Sequence, residues 1–479
     1  MPTISRRSLL ASALAAGGTL ATGALPVSSP PQRRQPAVPF AEFFRMPMPM
    51  PRLIEPDTTR NGVDVYSVAI RRTRTEIVPG LQTEVLTFDG GYPALFRATT
   101  GRPVLMNQHN HLGTPVSVHL HGGEVADVDD GGPMDSIDPG DSRAYHYPNH
   151  QPHAPLWIHD HTHQLEAEHI YRGLSAFYIL QDEDERRLPL PAGRYDVPIM
   201  LRDVHLDDKG QLLYQMEDSH GRTTILANGK PWPYFEVAAR KYRFRILNSS
   251  NLRIFRLRLA DGSPMTQIGS DGGLLPQPCL VDELYLTPAE RAEVVIDFSH
   301  YPVGTRLELE NTRNFGKDDP ARKVLRFHVT HTAQDPSSIP VTLRTLPPLP
   351  EVTGRRSFEL SMDDVTKPGA QGYINGRVYD HQRVDTSIPW GSSEVWTISN
   401  KDPRFPHNFH LHLVTFRILE RDGRPPSAAE TGLKDTVGID VGETVTVQAT
   451  FDSYRGKYLY HCHFADHMAM GMMGQMEIT

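Results

Sequence analysis

Cysteine is nearly missing from this chain, which carries two, Cys279 and Cys462, among 479 residues. That excludes a disulfide framework, so the fold has to rest on buried apolar surface. Positive charge is in deficit, with 49 Lys and Arg against 57 Asp and Glu and a formal net charge of −8. Without a basic stripe, nucleic acid is not an expected partner. The one long apolar stretch, ending near Ala24, is too short and too rich in glycine to span a bilayer.

That stretch follows Ser5-Arg6-Arg7-Ser8-Leu9-Leu10. Residues 1–24 are therefore expected to be a twin-arginine signal peptide, with export to the periplasm, the cell surface or the medium. Losing Arg6 and Arg7 with it lowers the formal charge of −8 by two more units.

Proline (41) and glycine (37) are plentiful, and they bound short runs rich in Val, Ile, Tyr and Phe such as Tyr242–Leu247 and Thr444–Gln448. This punctuation predicts an all-β chain of sandwiches, and the length allows about three domains. Their expected bounds are 25–187, 188–345 and 346–479. The acidic and basic run Asp182–Arg187 is expected to be a solvated exit from the first, and Pro-rich Leu346–Pro350 the linker to the third. Pro115–His121 echoes Pro406–His412, and Trp157–His161 echoes Tyr458–His463, so the first and third domains should carry equivalent strands.

The chemistry is concentrated in histidine pairs spaced two apart. His119/His121, His159/His161, His410/His412 and His461/His463 each put two imidazoles on one face of a strand, about 6 to 7 Å apart. Between the last two lies Cys462, turned to the opposite face, with His467 and Met472 as its candidate companions, while His407 precedes the third pair in an H-x-x-H-x-H pattern. A thiolate, two imidazoles and a weak thioether make a blue copper site, which cycles by one electron. Zinc competes for Cys and His. A structural zinc draws on more thiolates and a catalytic zinc on three ligands, and neither accounts for the remaining pairs. The middle segment holds no such pair and is expected to be a spacer, with the neighbouring metal ions that the pairs would hold lying between domains one and three.

These motifs, in this order, resemble the multicopper oxidases, and specifically the spore-coat laccase, phenoxazinone synthase and bilirubin oxidase branch. His119–Gly123, Tyr145–Asn149, Trp157–His161, Ile225–Pro233, Lys241–Arg245, Ile268–Pro276, Pro288–Arg291 and Lys434–Val437 extend the likeness from about residue 80 to the C-terminus. The resemblance implies three consecutive cupredoxin-like Greek-key sandwiches and four copper ions. His407, Cys462, His467 and Met472 would hold the type 1 copper, and His119 and His410 the type 2 copper. One type 3 copper would sit on His121, His159 and His463, the other on His161, His412 and His461. It also implies that a small aromatic donor gives up single electrons beside His467 while dioxygen is reduced to water.

Asp130 matches a family acid that influences proton delivery. Met468, directly after His467, departs from the branch, which has a glutamate there that supplies protons to oxygen; Asp130 or Asp466 is expected to compensate. The methionines at 46, 48 and 50 and at 468, 470, 473 and 476 read as packing residues, with a cuprous oxidase as the alternative. Cys279 reads as a free thiol. The loop Arg421–Gly432 is expected to rim the donor cleft. Three functions stay open at this level: a laccase-like oxidase of phenols and aminophenols, a cuprous or other metal oxidase, and a non-catalytic cupredoxin scaffold. Oligomeric state is not legible.

Overall fold

The computed structural model describes residues 42–313, 316 and 319–479; residues 1–24, expected to be a signal peptide, lie outside these. Six sheets build three consecutive β-sandwiches of the cupredoxin type. In the first, Thr58–Arg60, Val63–Thr75, Thr83–Phe88, Val104–Asn110 and Ser142–Tyr147 face a sheet of Arg52–Leu53, Ala94–Thr99, Val118–His121, Ala154–Asp160 and Ser175–Gln181. The second takes a seven-stranded and a five-stranded sheet from 196–332, and the third two five-stranded sheets from 354–478. Each sandwich opens with the same device, a strand paired in parallel with a later one. Val63–Thr75 pairs so with Val104–Asn110, Asp196–Val204 with Lys241–Asn248, and Gly354–Met362 with Ser392–Asn400. Among the described residues no helix is long and apolar enough to cross a membrane.

Period-two patterning explains the strands. In Phe255–Leu259, alternate residues Phe255, Leu257 and Leu259 enter the second core while Arg256 and Arg258 face outward. Val118 and Leu120 point into the first core, as do Leu156 and Ile158, yet their strands are buried on both faces. The outward face of the first sandwich is therefore covered by the other two.

Two expectations about the connections change. Glu183, Asp184, Arg186 and Arg187 are exposed as expected of a solvated exit, but Glu185 is buried. Its carboxylate bridges Arg243 at 2.7 Å and Arg245 at 2.8 Å, because two guanidinium groups in the second sandwich need a counter-charge. Residues 44–48 precede the first sandwich in the chain but pack on the second. Phe44 and Met48 enter its core, with Phe44 N–H on Trp232 O (2.8 Å) and Met48 N–H on Tyr234 O (2.7 Å). Met48 is thus a packing residue, as are Met468, Met473 and Met476. Residues 333–353 run without regular structure to the third sandwich.

Candidate metal centre

Pleating sorts the histidines by face. In His407–Leu411, His407 shares parity with Phe409 and Leu411, which lie in the third core; His410 and His412 take the outward parity. In Gly456–His461, Tyr458 and Tyr460 enter that core, Cys462 continues their parity, and His461 and His463 point the other way. The regular strand ends at His461, but extension persists: Cys462 N–H bonds Met472 O (3.1 Å) and His463 N–H bonds the Asn408 side-chain oxygen (2.6 Å). In register, His119 stands opposite His159 on one sandwich, and His410 opposite His461 on the other. The outward faces of sandwiches one and three meet at these pairs.

On the core side, Cys462 Sγ lies 3.8 Å from His407 Nδ1 and 3.7 Å from His467 Nδ1, and the two nitrogens are 3.1 Å apart. His467 comes from the short helix Ala465–Ala469 and stacks on Phe464 at 5.1 Å. Met472 is buried in the same cluster of side chains as Cys462, and its N–H bonds His467 O. Burial pushes the Cys462 thiol up to about 12, so a thiolate in this pocket needs a cation beside it.

On the outward side, three further groups have ligand atoms within 4.8 Å of one another: His119, His121 and His410; His121, His159 and His463; His161, His412 and His461. Their tautomers follow from the second ring nitrogen. The Nδ1–H groups of His119, His159, His410 and His461 donate to the carbonyls of Asp130 (2.7 Å), Asp160 (2.8 Å), Asp435 (2.8 Å) and Cys462 (3.1 Å). His412 Nδ1 lies 2.7 Å from Asp130 Oδ2. With its Nδ1–H so engaged, His412 presents a bare Nε2 to the bare Nε2 of His461 at 3.1 Å. Two lone pairs at that distance repel unless a cation lies between them. His159 and His463 bring their Nε2 atoms to 3.2 Å, and His161 brings its own to 3.3 Å from His461. The Nε2 atoms of His119 and His410 are buried without a partner, as is Nδ1 of His121, whose Nε2 meets Asp435 Oδ1 at 2.9 Å.

The donor set therefore fits bound metal. Burial holds every one of these imidazoles below its ordinary 6.5, down to about 3 for His161, His412, His463 and His467, leaving the neutral, ligating form. An all-imidazole set beside a Cys–His–His set suits copper.

All twelve residues singled out in the sequence come together, and Asp130 joins them through His412. Asp130 lies on the one-turn helix Asp127–Asp130 and lines a cavity of about 300 Å³. Asp466 does not face the cluster. Its carboxylate is held by Arg222 (2.9 Å), Asn251 (2.8 Å) and the N–H of Glu217 (2.7 Å), all from the second sandwich.

Several supporting residues escaped sequence reasoning. Asp435 fixes His121 with its side chain and His410 with its carbonyl, and it is bound in turn by Arg291 at 2.7 and 2.5 Å. Asn408 connects the Cys462–His463 segment to Thr287 Oγ1 (3.0 Å) and Pro288 O (2.7 Å). The middle sandwich is thus more than a spacer. The only available signal was that Arg291 and Asp435 fall inside motifs far from any ligand pair.

A second cavity, of about 500 Å³, adjoins the thiolate site and is lined by Glu217, Met216, Lys367, Gln371, Tyr379 and Met470 among others. Glu217 Oε1 lies 3.6 Å from His467 Nε2. The loop Arg421–Gly432 takes no part in it. Its Arg421–Glu430 ion pair (2.6 Å) braces it internally, and the bond from Gln267 to Ala429 O ties it to the second sandwich instead.

The comparisons agree with this centre. Residues 69–185 and 345–479 match two family profiles, each described as multicopper oxidase. The chain is 35% identical to a laccase of Bacillus subtilis, over 78% of this chain and 81% of that protein. It is 34% identical to a bilirubin oxidase of Albifimbria verrucaria, over 91% and 81%. The crystal structure of a laccase from Pediococcus acidilactici superimposes with a TM-score of 0.84 at 31% identity, covering 92% of this chain and 94% of that one. The chain belongs to the multicopper oxidase family of copper-dependent oxidoreductases.

Proposed function

We propose that this chain is a laccase-like oxidase that takes single electrons from phenolic or aminophenolic donors and passes them to dioxygen. The observation that carries this reading is the placement of Cys462 between His461 and His463, with one candidate site on each side of the same three residues. His407, Cys462, His467 and Met472 would hold a type 1 copper, His119 and His410 a type 2 copper, and the remaining six histidines a type 3 pair. Bound copper would supply one-electron oxidation at the thiolate site and four-electron reduction of oxygen to water at the cluster.

The protein's own groups have distinct tasks in this scheme. Cys462 and its neighbouring imidazoles give the shortest covalent path from one site to the other. The carbonyls of Asp130, Asp160 and Asp435 fix ring orientation, so the ligand cage is set before metal arrives. Burial of all ten histidines excludes bulk water. Glu217, beside His467 and on the cavity wall, offers an acceptor for a donor's O–H or N–H group. Export by the twin-arginine route belongs to the same proposal and is supported by Ser5–Leu10.

A second reading draws on one observation: Met216, Met470 and Glu217 line the cavity together, a donor set suited to Cu(I). Metal analysis and oxygen uptake test both. We expect about four copper ions per chain, a blue absorption band, and uptake with dimethoxyphenol and 2-aminophenol. Zinc in place of copper, or no uptake with any donor, refutes the proposal. Uptake with Cu(I) alone selects the second reading, and bilirubin resolves the donor class further.

A further inference from the structure

Two short helices grow directly out of the ligand segments. Glu166–Arg172 begins one turn after His161, with Glu166 N–H on Thr162 O at 2.9 Å, and Ala465–Ala469 begins just after His463. They pack on each other: Ala167 and Ile170 from the first share one buried cluster with Ala465 and Met468 from the second. Met468 is 0% exposed and its thioether has no proton to give. Glu166, on the facing helix, is also 0% exposed, and neither carboxyl oxygen has a hydrogen-bond partner. Among the described residues it is the buried carboxyl group with both oxygens unpartnered.

A carboxyl group buried in this way is costly as an anion and stable as an acid. Burial first, and then the negative field of Asp160, hold Glu166 well above the ordinary carboxylate range. The N–H groups of Leu165 and Glu166 itself oppose this without completing a hydrogen bond. Asp160 cannot share the proton's role, because its oxygens are taken by Ser117 N–H (3.0 Å), Thr162 Oγ1 (2.8 Å) and His169 Nδ1 (3.0 Å). The other titratable groups on the elements around Glu166 are Glu168, His169, Tyr171 and Arg172 on its own helix, of which Glu168 and Arg172 pair with each other at 2.6 Å, Asp466 and His467 on the facing helix, and Tyr379. Tyr379 feels the charge of Glu166 and lines both cavities, so this is the side on which the acid lies nearest to solvent-filled space.

We propose that Glu166 is the proton relay for dioxygen reduction in this chain, taking the task that Met468 cannot perform from the facing helix. The balance is that of the proposed reaction: one dioxygen, four electrons from four donor molecules and four protons give two waters. Glu166 releases a proton toward the cluster side and regains one from the cavity side, so it is unchanged after each cycle. This rests on the oxidase reading above, and the test separates the two.

The reduced, copper-loaded protein is mixed with oxygen, and recovery of the blue band and of the cluster is followed for wild type, E166Q, E166D and E166Q/M468E. E166Q is expected to slow reoxidation by about a hundredfold, the usual scale for losing a positioned acid, with copper content and blue absorption unchanged. E166D and E166Q/M468E, which return a carboxyl to either helix, recover part of the rate. The infrared difference spectrum of wild type minus E166Q at neutral pH is expected to show a protonated-carboxyl band that shifts in D2O, over the bands of other buried acids such as Glu217, which burial raises to about 8. Wild-type reoxidation in E166Q, or a difference spectrum without that band, overturns the inference; so does a slowed rate accompanied by lost copper. A wild type that binds no copper or consumes no oxygen fails the oxidase reading instead.

Discussion

Asp435 is the residue through which three parts of the molecule depend on one another, and D435N tests that. Its carboxylate is buried between Arg291 Nη1 and Nη2 (2.7 and 2.5 Å), His121 Nε2 (2.9 Å) and Thr436 Oγ1 (2.9 Å). Burial raises its pKa, but Arg291 and the Thr436 hydroxyl outweigh that and hold it ionised. Removing one partner of a buried ion pair costs about 3–5 kcal/mol, because the surviving charge is left uncompensated. Here Asp271 remains 3.6 Å from Arg291, and the Asn oxygen can still accept a hydrogen bond, so the lower figure of about 3 kcal/mol applies. His121 also loses its charged acceptor, which by the usual effect of such partners weakens metal binding about 10- to 100-fold. Denaturant midpoints and copper retention during dialysis against a chelator measure the two effects. D271N is the control: Asp271 touches Arg291 and Lys434 but no histidine, so it should lower stability without loosening copper. A D435N protein with the wild-type midpoint and wild-type retention would refute the assignment.

C462S should abolish the blue band and lower copper content by about one ion per chain while the histidine cluster stays loaded; metal analysis with absorption spectra checks this. D130N leaves the blue band intact, because Asp130 touches His412 and not the thiolate site, and it slows reoxidation in stopped flow. F44A removes a ring from the second core and should cost about 3 kcal/mol, seen as a lower denaturant midpoint and earlier proteolysis of the 42–50 strap. Burial pushes Asp335 up, but Ser337, the Lys241 N–H and Arg240 outweigh it and hold it at about 2. A depressed carboxylate stabilises fully above the unfolded value of about 3.9 and loses that contribution as pH falls through the folded one. The gap in stability between wild type and D335N, measured by denaturant titration, should therefore be constant above pH about 5 and close as pH falls toward about 2.

How much of this was legible in the sequence follows from the range of the physics involved. Two-residue spacing is a local property of a strand, so His119/His121 or His461-Cys462-His463 announces which side chains share a face before any partner is known. The all-β class was legible on the same ground, as was the packing role of Met48 and Met468. Contacts between sandwiches have no such local mark. Nothing near residue 185 says that Arg243 and Arg245 will bury Glu185, and the charge run Asp182–Arg187 reads as solvated because five of its six residues are not buried.

The same limit explains why the position of the Arg421–Gly432 loop and the burial of Glu166 were not legible. The Arg421–Gly432 loop has the composition of a rim, but Gln267 of the second sandwich holds it through the Ala429 carbonyl. Glu166 sits in a stretch with two other acids and histidines, where a carboxylate reads as solvated helix surface. Only the packing of its helix on the one that carries Met468 removes it from water. Under the proposed oxidase reading four protons reach the oxygen in each turnover, and with a methionine at 468 a carboxyl buried beside that position is placed to deliver them. The place to look for it is therefore the surface buried against Met468, and Glu166 is the buried acid on the helix that forms that surface.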